Sequence, residues 1–179
     1  RSEIAGPLVF SRAVTAVSVA DGVTLALSGA NTVADGVTAS LTVTGAGTLE
    51  LSPGLNGTVD LESTTKLVLL GDGRYASAIS GGRSLEIRAS GIAMLGGCDL
   101  SGYTGTSIDV TAGTLELGSM AVLPDGVTLQ TSGEGKVMFA TSEGLDPSRI
   151  GGTANYVVDA SIVTDWVRPE TRITVGEGE

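Results

Sequence analysis

The sequence predicts an all-β chain wound as a right-handed parallel β-solenoid with atypical terminal segments. Three observations carry the parallel coil. Short runs alternate apolar and polar residues with period two, the signature of strands with one buried face. Glycine punctuates the runs, 27 of 179 residues, about twice the usual share. The gaps are too short for crossover helices, and parallel strands without them need a chain that winds round and stacks each coil on the last. At roughly 20–25 residues per coil the chain makes about seven to nine coils.

The elements follow in order. Val17 and Val19 precede an Asp21-Gly22 turn, and Val23, Leu25 and Leu27 follow it. Leu41 and Val43, Leu49 and Leu51, Val59 and Leu61, and Leu67 and Leu69 continue the inward series. Leu85 and Ile87, Ile92 and Met94, Ile108 and Val110, and Leu115 and Leu117 come next. Val127 and Leu129, Val137 and Phe139, and Ile173 and Val175 complete it. A slip by one residue would turn each Leu to solvent, so the pattern also fixes register. One phrase, Gly-Thr-Leu-Glu-Leu, occurs at residues 47–51 and again at 113–117. Asp-Gly-Val-Thr occurs at 21–24, 35–38 and 125–128, with glycine supplying the positive φ of a tight corner. The spacing is irregular, so the coils differ in length.

Residues 1–141 are read as the solenoid, with 1–12 as an N-terminal docking or capping segment. Residues 142–179 read differently. Asp146-Pro147 suggests a short helical turn, and Trp166 and Pro169 lie in a more charged tail. A solenoid must hide its terminal coil, so this stretch is read as a cap or docking segment.

Composition narrows the function classes. The formal charge is −10, which repels phosphate backbones and anionic lipid. No nucleic-acid partner and no membrane insertion are expected. Histidine is absent, which removes the commonest general base and most zinc sites. The single cysteine, Cys98, is read as a small buried apolar side chain. Residue 1 is Arg and no signal-peptide pattern is present, so the chain is read as a mature product or a piece of a longer one.

Residues 79–139 carry a resemblance. Ile79-Ser80-Gly81-Gly82 leads to Tyr103-Thr104-Gly105, then Ala112-Gly113-Thr114-Leu115, then Leu123-Pro124-Asp125-Gly126. The order resembles the autotransporter-associated (passenger-associated) β-strand repeat of bacterial surface proteins. It covers about a third of the chain well and residues 20–62 more loosely. The resemblance implies a right-handed β-helix on the outside of a bacterium. Two departures stand out: Gly97-Cys98-Asp99 alters the run before the Tyr-Thr-Gly corner, and no membrane-barrel segment is present. The repeat serves as a stalk under many activities, so it points to fold more than to function.

Few groups offer chemistry. Asp60 with Glu62, and Asp99 with Asp109, are the candidate carboxylate pairs, with Lys66, Arg83 or Arg88 as the basic partner of a polysaccharide-lyase-like site. Solvated outward acids are the simpler reading. Gly71-Asp72-Gly73 and Gly133-Glu134-Gly135 read as turns and follow no phosphate-loop pattern. The outward threonines (Thr24, Thr38, Thr42, Thr44, Thr48, Thr114, Thr128) are good strand-surface residues, too irregularly spaced for an ice-binding ladder. Tyr75, Tyr103, Tyr156 and Trp166 are read as covering corners or ends in preference to stacking on sugars.

No catalytic, cofactor or metal residue is assigned. The expectation is a non-catalytic structural protein outside a bacterial cell, a stalk or head-to-tail fibre subunit that self-associates through its ends. The alternative is a carbohydrate-binding or lyase-like module on the same scaffold, with surface glycans as its partners.

Overall fold

The computed structural model describes residues 1–75, 78–119, 122–139, 146–152, 155–159 and 172–176. The chain is nearly all parallel strand, wound into a β-solenoid of about seven turns. A full coil lays strands on three faces in succession, and several coils supply strands on two of them. The first coil is β1 (Ser2–Ile4), β2 (Leu8–Phe10) and β3 (Val14–Ser18). The second is β4 (Thr24–Leu27), β5 (Asn31–Val33) and β6 (Ser40–Thr44). Then come β7 (Thr48–Leu51) and β8 (Thr58–Leu61), followed by β9 (Lys66–Leu70), β10 (Gly73–Arg74) and β11 (Ala78–Gly81). Two long strands, β12 (Ser84–Met94) and β13 (Ser107–Leu117), run across the corner between the first and second faces. Later coils supply β14 (Thr128–Thr131), β15 (Lys136–Phe139), β16 (Ile150–Gly152), β17 (Asn155–Asp159) and β18 (Arg172–Gly176).

Register stacks like on like. On the first face Leu25, Leu49, Leu67, Leu85, Ile108, Leu129 and Ile150 stand one above another. The next inward rung is Leu27, Leu51, Leu69, Ile87 and Val110. On the third face Leu41, Val59 and Ile79 form a second column. These columns meet in one apolar cluster along the axis. Burial of aliphatic surface between neighbouring coils, at about 25 cal/mol per Å², is the main stabilising term.

Coil lengths explain the irregular spacing. Successive first-face rungs lie 18 to 24 residues apart, and the differences fall in the corners. The two Gly-Thr-Leu-Glu-Leu phrases sit on different faces. Leu49 belongs to the first-face column, whereas Leu115 stacks between Ala93 and Val137 on the second. A glycine corner followed by period-two alternation suits either face, so identical words do not imply identical positions.

Two expected inward sets need correction. Ile92 is exposed and Met94 half-buried, while Ala93 and Leu95 are fully buried. Leu85, Ile87, Ala89 and Ala93 are all buried, so β12 keeps one inward parity and Ile92 and Met94 fall on its outward set; the register shifts instead move the inward positions of β13 from Ile108 and Val110 to Leu115 and Leu117. Val23 is also exposed, because it directly follows the turn closed by Val23 N donating to Ala20 O.

Beyond residue 141 the ladder continues. β16 pairs with β14, β17 with β15, and β18 with β17, all parallel. The short helical turn expected at Asp146-Pro147 is present as Pro147–Arg149, capped by Asp146 Oδ1 accepting from Ser148 N at 2.9 Å. Arg149 then donates to Val127 O and Pro124 O at 2.9 and 2.7 Å, pinning this coil to the corner of the one before. Trp166 and Pro169 lie outside the described residues.

Candidate functional site

The outer surface of the first face carries a chain of ion pairs that crosses several coils. Outward positions Glu3, Ala26, Glu50, Val68 and Glu86 stack in register. Ala26 and Val68 are buried despite facing out. Arg1 Nη2 reaches Glu50 Oε2 at 2.8 Å, and Arg88 Nη2 reaches Glu50 Oε1 at 2.9 Å. Arg1 also pairs with Glu3 at 2.9 Å. Lys66 Nζ meets Glu86 Oε2 at 2.6 Å, and Thr111 Oγ1 donates to Glu86 Oε1 at 3.0 Å. Glu50 is only 5% exposed, so two guanidiniums neutralise it where water does not.

This network has a pH signature. Burial pushes the Glu86 carboxyl up, but hydrogen bonds from Lys66 and Thr111 and the charges of Lys66 and Arg88 outweigh it. The carboxyl therefore titrates below its ordinary value of 4.5. A carboxyl depressed in the fold stabilises it fully above the unfolded value and loses that contribution as pH falls through the folded one. We expect urea midpoints to hold above the ordinary value of 4.5 and to fall as pH drops below it. Glu86→Gln should flatten part of that fall; an unchanged pH profile in the variant would show that Glu86 takes no part.

The candidate lyase residues are not brought together. Asp60, on the third face, accepts from Ser40 Oγ at 3.0 Å and Ser80 Oγ at 2.6 Å. Glu62 Oε2 accepts from Gly45 N at 2.5 Å. Asp99 bridges to Ala78 on the third face, whereas Asp109 pairs beside Glu86 on the first. The Ser101 hydroxyl, and then its N–H at 2.8 Å from Asp99 Oδ1, donate to the Asp99 carboxylate and hold it below the ordinary range. Lys66 and Arg88 are engaged with Glu86 and Glu50 on the first face, and Arg83 is exposed at its edge. Among the described residues no group of three or more Cys, Asp or Glu is placed to hold a metal.

The outward threonines form no continuous ladder. Thr24 and Thr48 stack, but the next outward positions are Lys66 and Ser84. The tyrosines take corners. Tyr75 is buried, and its hydroxyl donates to Leu70 O and, at 3.2 Å, to Gly71 O. Tyr103 is buried and donates to Ser107 O at 2.6 Å. A Cβ on Gly105 would lie 2.1 Å from the Tyr103 hydroxyl oxygen, so the Tyr-Thr-Gly corner is one packed unit. Burial raises the phenol pKa of both. For Tyr156 only the backbone is described.

Cys98 is 7% exposed, and burial pushes its thiol up to about 11, with the Arg74 charge acting the other way. We expect iodoacetamide at pH 8 to modify folded protein about 100-fold more slowly than urea-unfolded protein, as the smaller thiolate population dictates. Equal rates would mean that the thiol is exposed and ionised.

The first coil is the least covered part of the molecule. Its inward residues Ile4, Leu8, Phe10, Thr15 and Val17 line an open recess of about 280 Å³ over Leu27 and Leu41. Ile4, Val9 and Val14 are 43%, 63% and 64% exposed. β1, β2 and β3 each pair on one edge only among the described residues. Leu8 N donates to Ala30 O and Phe10 O accepts from Ala34 N. The alternate residue Val9 therefore turns its N–H and C=O away from β5, to the free edge. Sequence reading placed a docking segment at 1–12; the open end extends to Val17. It did not single out Arg74, which is exposed on β10 between two surface recesses. No family model, curated protein or solved structure matches the chain.

Proposed function

We propose that this chain is a non-catalytic structural β-solenoid of the bacterial exterior, a stalk or fibre subunit that associates head to tail through its ends. The observation that carries the reading is the open first coil. It combines an apolar recess with three rows of strand-edge groups in one plane. Only another parallel coil satisfies both at once: its inward side chains fill the recess and its backbone completes the ladders. At the far end β18 pairs with β17 on one side among the described residues, so the two ends are complementary in kind. A heterologous contact of this sort repeats without closing and builds a filament. The resemblance of residues 79–139 to passenger repeats supports an extracellular stalk.

The test is sedimentation velocity and negative-stain microscopy over a range of concentrations. Rods longer than one chain, about 35–45 Å at the strand spacing, are expected to lengthen with concentration. Val9→Pro removes one free-edge N–H without touching the bonds to β5 and should shorten them. A monomer at all concentrations overturns the reading, as does unaltered assembly of Val9→Pro.

A further inference from the structure

Head-to-tail stacking brings particular residues of two copies together. Among the described residues β2 and β18 are the outermost strands of one continuous face. From β2 that face runs through β5 to Pro53-Gly54, where a Cβ on Gly54 would lie 1.8 Å from the Asn31 backbone oxygen. It continues through β10, where a Cβ on Gly73 would lie 3.3 Å from Pro53, and then through β12, β13, β15, β17 and β18. Every strand pair along it is parallel. A second copy that continues the coil therefore sets its β2 on β18 of the first, parallel to it.

Alternation restricts the register. Leu8 is half-buried and Phe10 buried, whereas Val9 between them is 63% exposed. At the other end Ile173 and Val175 stand in register, through Tyr156 and Val158, with the buried Val137 and Phe139. A one-residue slip would set these positions on the wrong parity, against Val9. Matching Ile173 to Leu8 and Val175 to Phe10 uses both apolar rungs. The next positions then follow: Gly176 meets Ser11, and Glu177 meets Arg12. A slip by two in either direction sets Glu177 against Phe10 or Arg12 against Val175, a charge on an apolar rung. Arg12 is exposed on the rim of the first-coil recess, and among the described residues no carboxylate pairs with it.

We propose that Glu177 of one copy pairs with Arg12 of the next, and that this ion pair sets the register of the head-to-tail junction. The proposal rests on the assembly reading and adds to it the partner strand, the register and the residues that select them. Adjacent strands lie about 4.8 Å apart, and opposite charges facing each other across them attract while like charges repel. Pairs of this reach already exist within the chain. Lys66 on β9 and Glu86 on the neighbouring β12 meet at 2.6 Å, although Lys66 is opposite Ser84. Apolar rungs of similar size discriminate weakly between a match and a two-residue slip, so the charge pair supplies the specificity.

The experiment is a charge swap read by sedimentation velocity and negative-stain microscopy. Arg12→Glu alone and Glu177→Arg alone should each need roughly tenfold or more protein to reach the rod length of the natural chain. Mixed in equal amounts, the two variants should assemble again, because copies that alternate along the rod join opposite charges at every junction. A chain carrying both substitutions should assemble by itself. Arg83→Glu, the same change at an exposed edge outside the junction, should assemble at the natural concentration. Circular dichroism checks that each variant keeps the fold. A natural chain that stays monomeric overturns the assembly reading and the pair with it. A natural chain that assembles, with Arg12→Glu unaffected, overturns the pair alone. A loss in Arg12→Glu that neither the mixture nor the double variant restores also overturns it. Rescue by Glu179→Arg in place of Glu177→Arg overturns the register.

Discussion

Leu67→Ala is expected to lower the unfolding free energy by about 3 kcal/mol, the middle of the range for a buried Leu cut to Ala. Leu67 is fully buried, in register between Leu49 below and Leu85 above. The loss has two parts: apolar surface no longer buried, and a cavity bounded by coils that cannot close on it. Coil separation is set by backbone hydrogen bonds at about 4.8 Å, so the neighbours have little room to collapse inward. Urea unfolding followed by circular dichroism reads the effect. The same exchange at Leu25, half-buried near the open end, should cost clearly less. Equal losses at the two positions would mean that the columns are not continuous.

Gly54→Ala is expected to be of similar size for a different reason. Gly54 has a φ of +112°, and a Cβ there would lie 1.8 Å from the Asn31 backbone oxygen. Left-handed backbone costs an L-residue roughly 1–2 kcal/mol, and overpacking against rigid backbone adds typically 1–3 kcal/mol. A total of about 3 kcal/mol is expected. Gly126→Ala is the matched control, with φ +81° but open space around the added methyl, so only the strain remains, about 1–2 kcal/mol. The difference in urea midpoint between the two variants isolates the steric part. No difference would remove the close approach of the third coil to the second at this corner.

These two positions mark what was legible in the sequence and what was not. Leu67 announces itself, because Leu67 and Leu69 repeat the two-residue spacing of Leu49 and Leu51, although apolar Val68 takes the outward place between them. The parallel coil follows from many such runs with short gaps. Gly54 announces only a corner; which earlier oxygen it meets depends on coil length. That length varies from 18 to 24 residues and is absorbed in corners that lack a fixed pattern. The recesses on either side of Arg74 were hidden for the same reason, since they join residues from coils whose alignment a single sequence does not reveal. The ion pairs of Glu50 reach 49 positions back to Arg1 and 38 forward to Arg88. Asp60 was singled out for chemistry, yet Ser40 and Ser80 occupy both of its oxygens. Ile92 and Met94 lie on the outward parity already set by Leu85 and Ile87, and that alternation, carried across Gly91, places Ala93 and Leu95 inward in their stead.

The corners at Gly22, Gly36 and Gly126 have empty space beyond them. Extra residues spliced in there would leave every rung in place, because alignment is set inside the tube. Doubling such a loop costs only about 0.6 kcal/mol in closure entropy. Decorations can therefore be gained, lost or exchanged along the rod without renegotiating its interior. A peptide or small domain grafted at Gly126 would ride on the outside of an otherwise unaltered shaft.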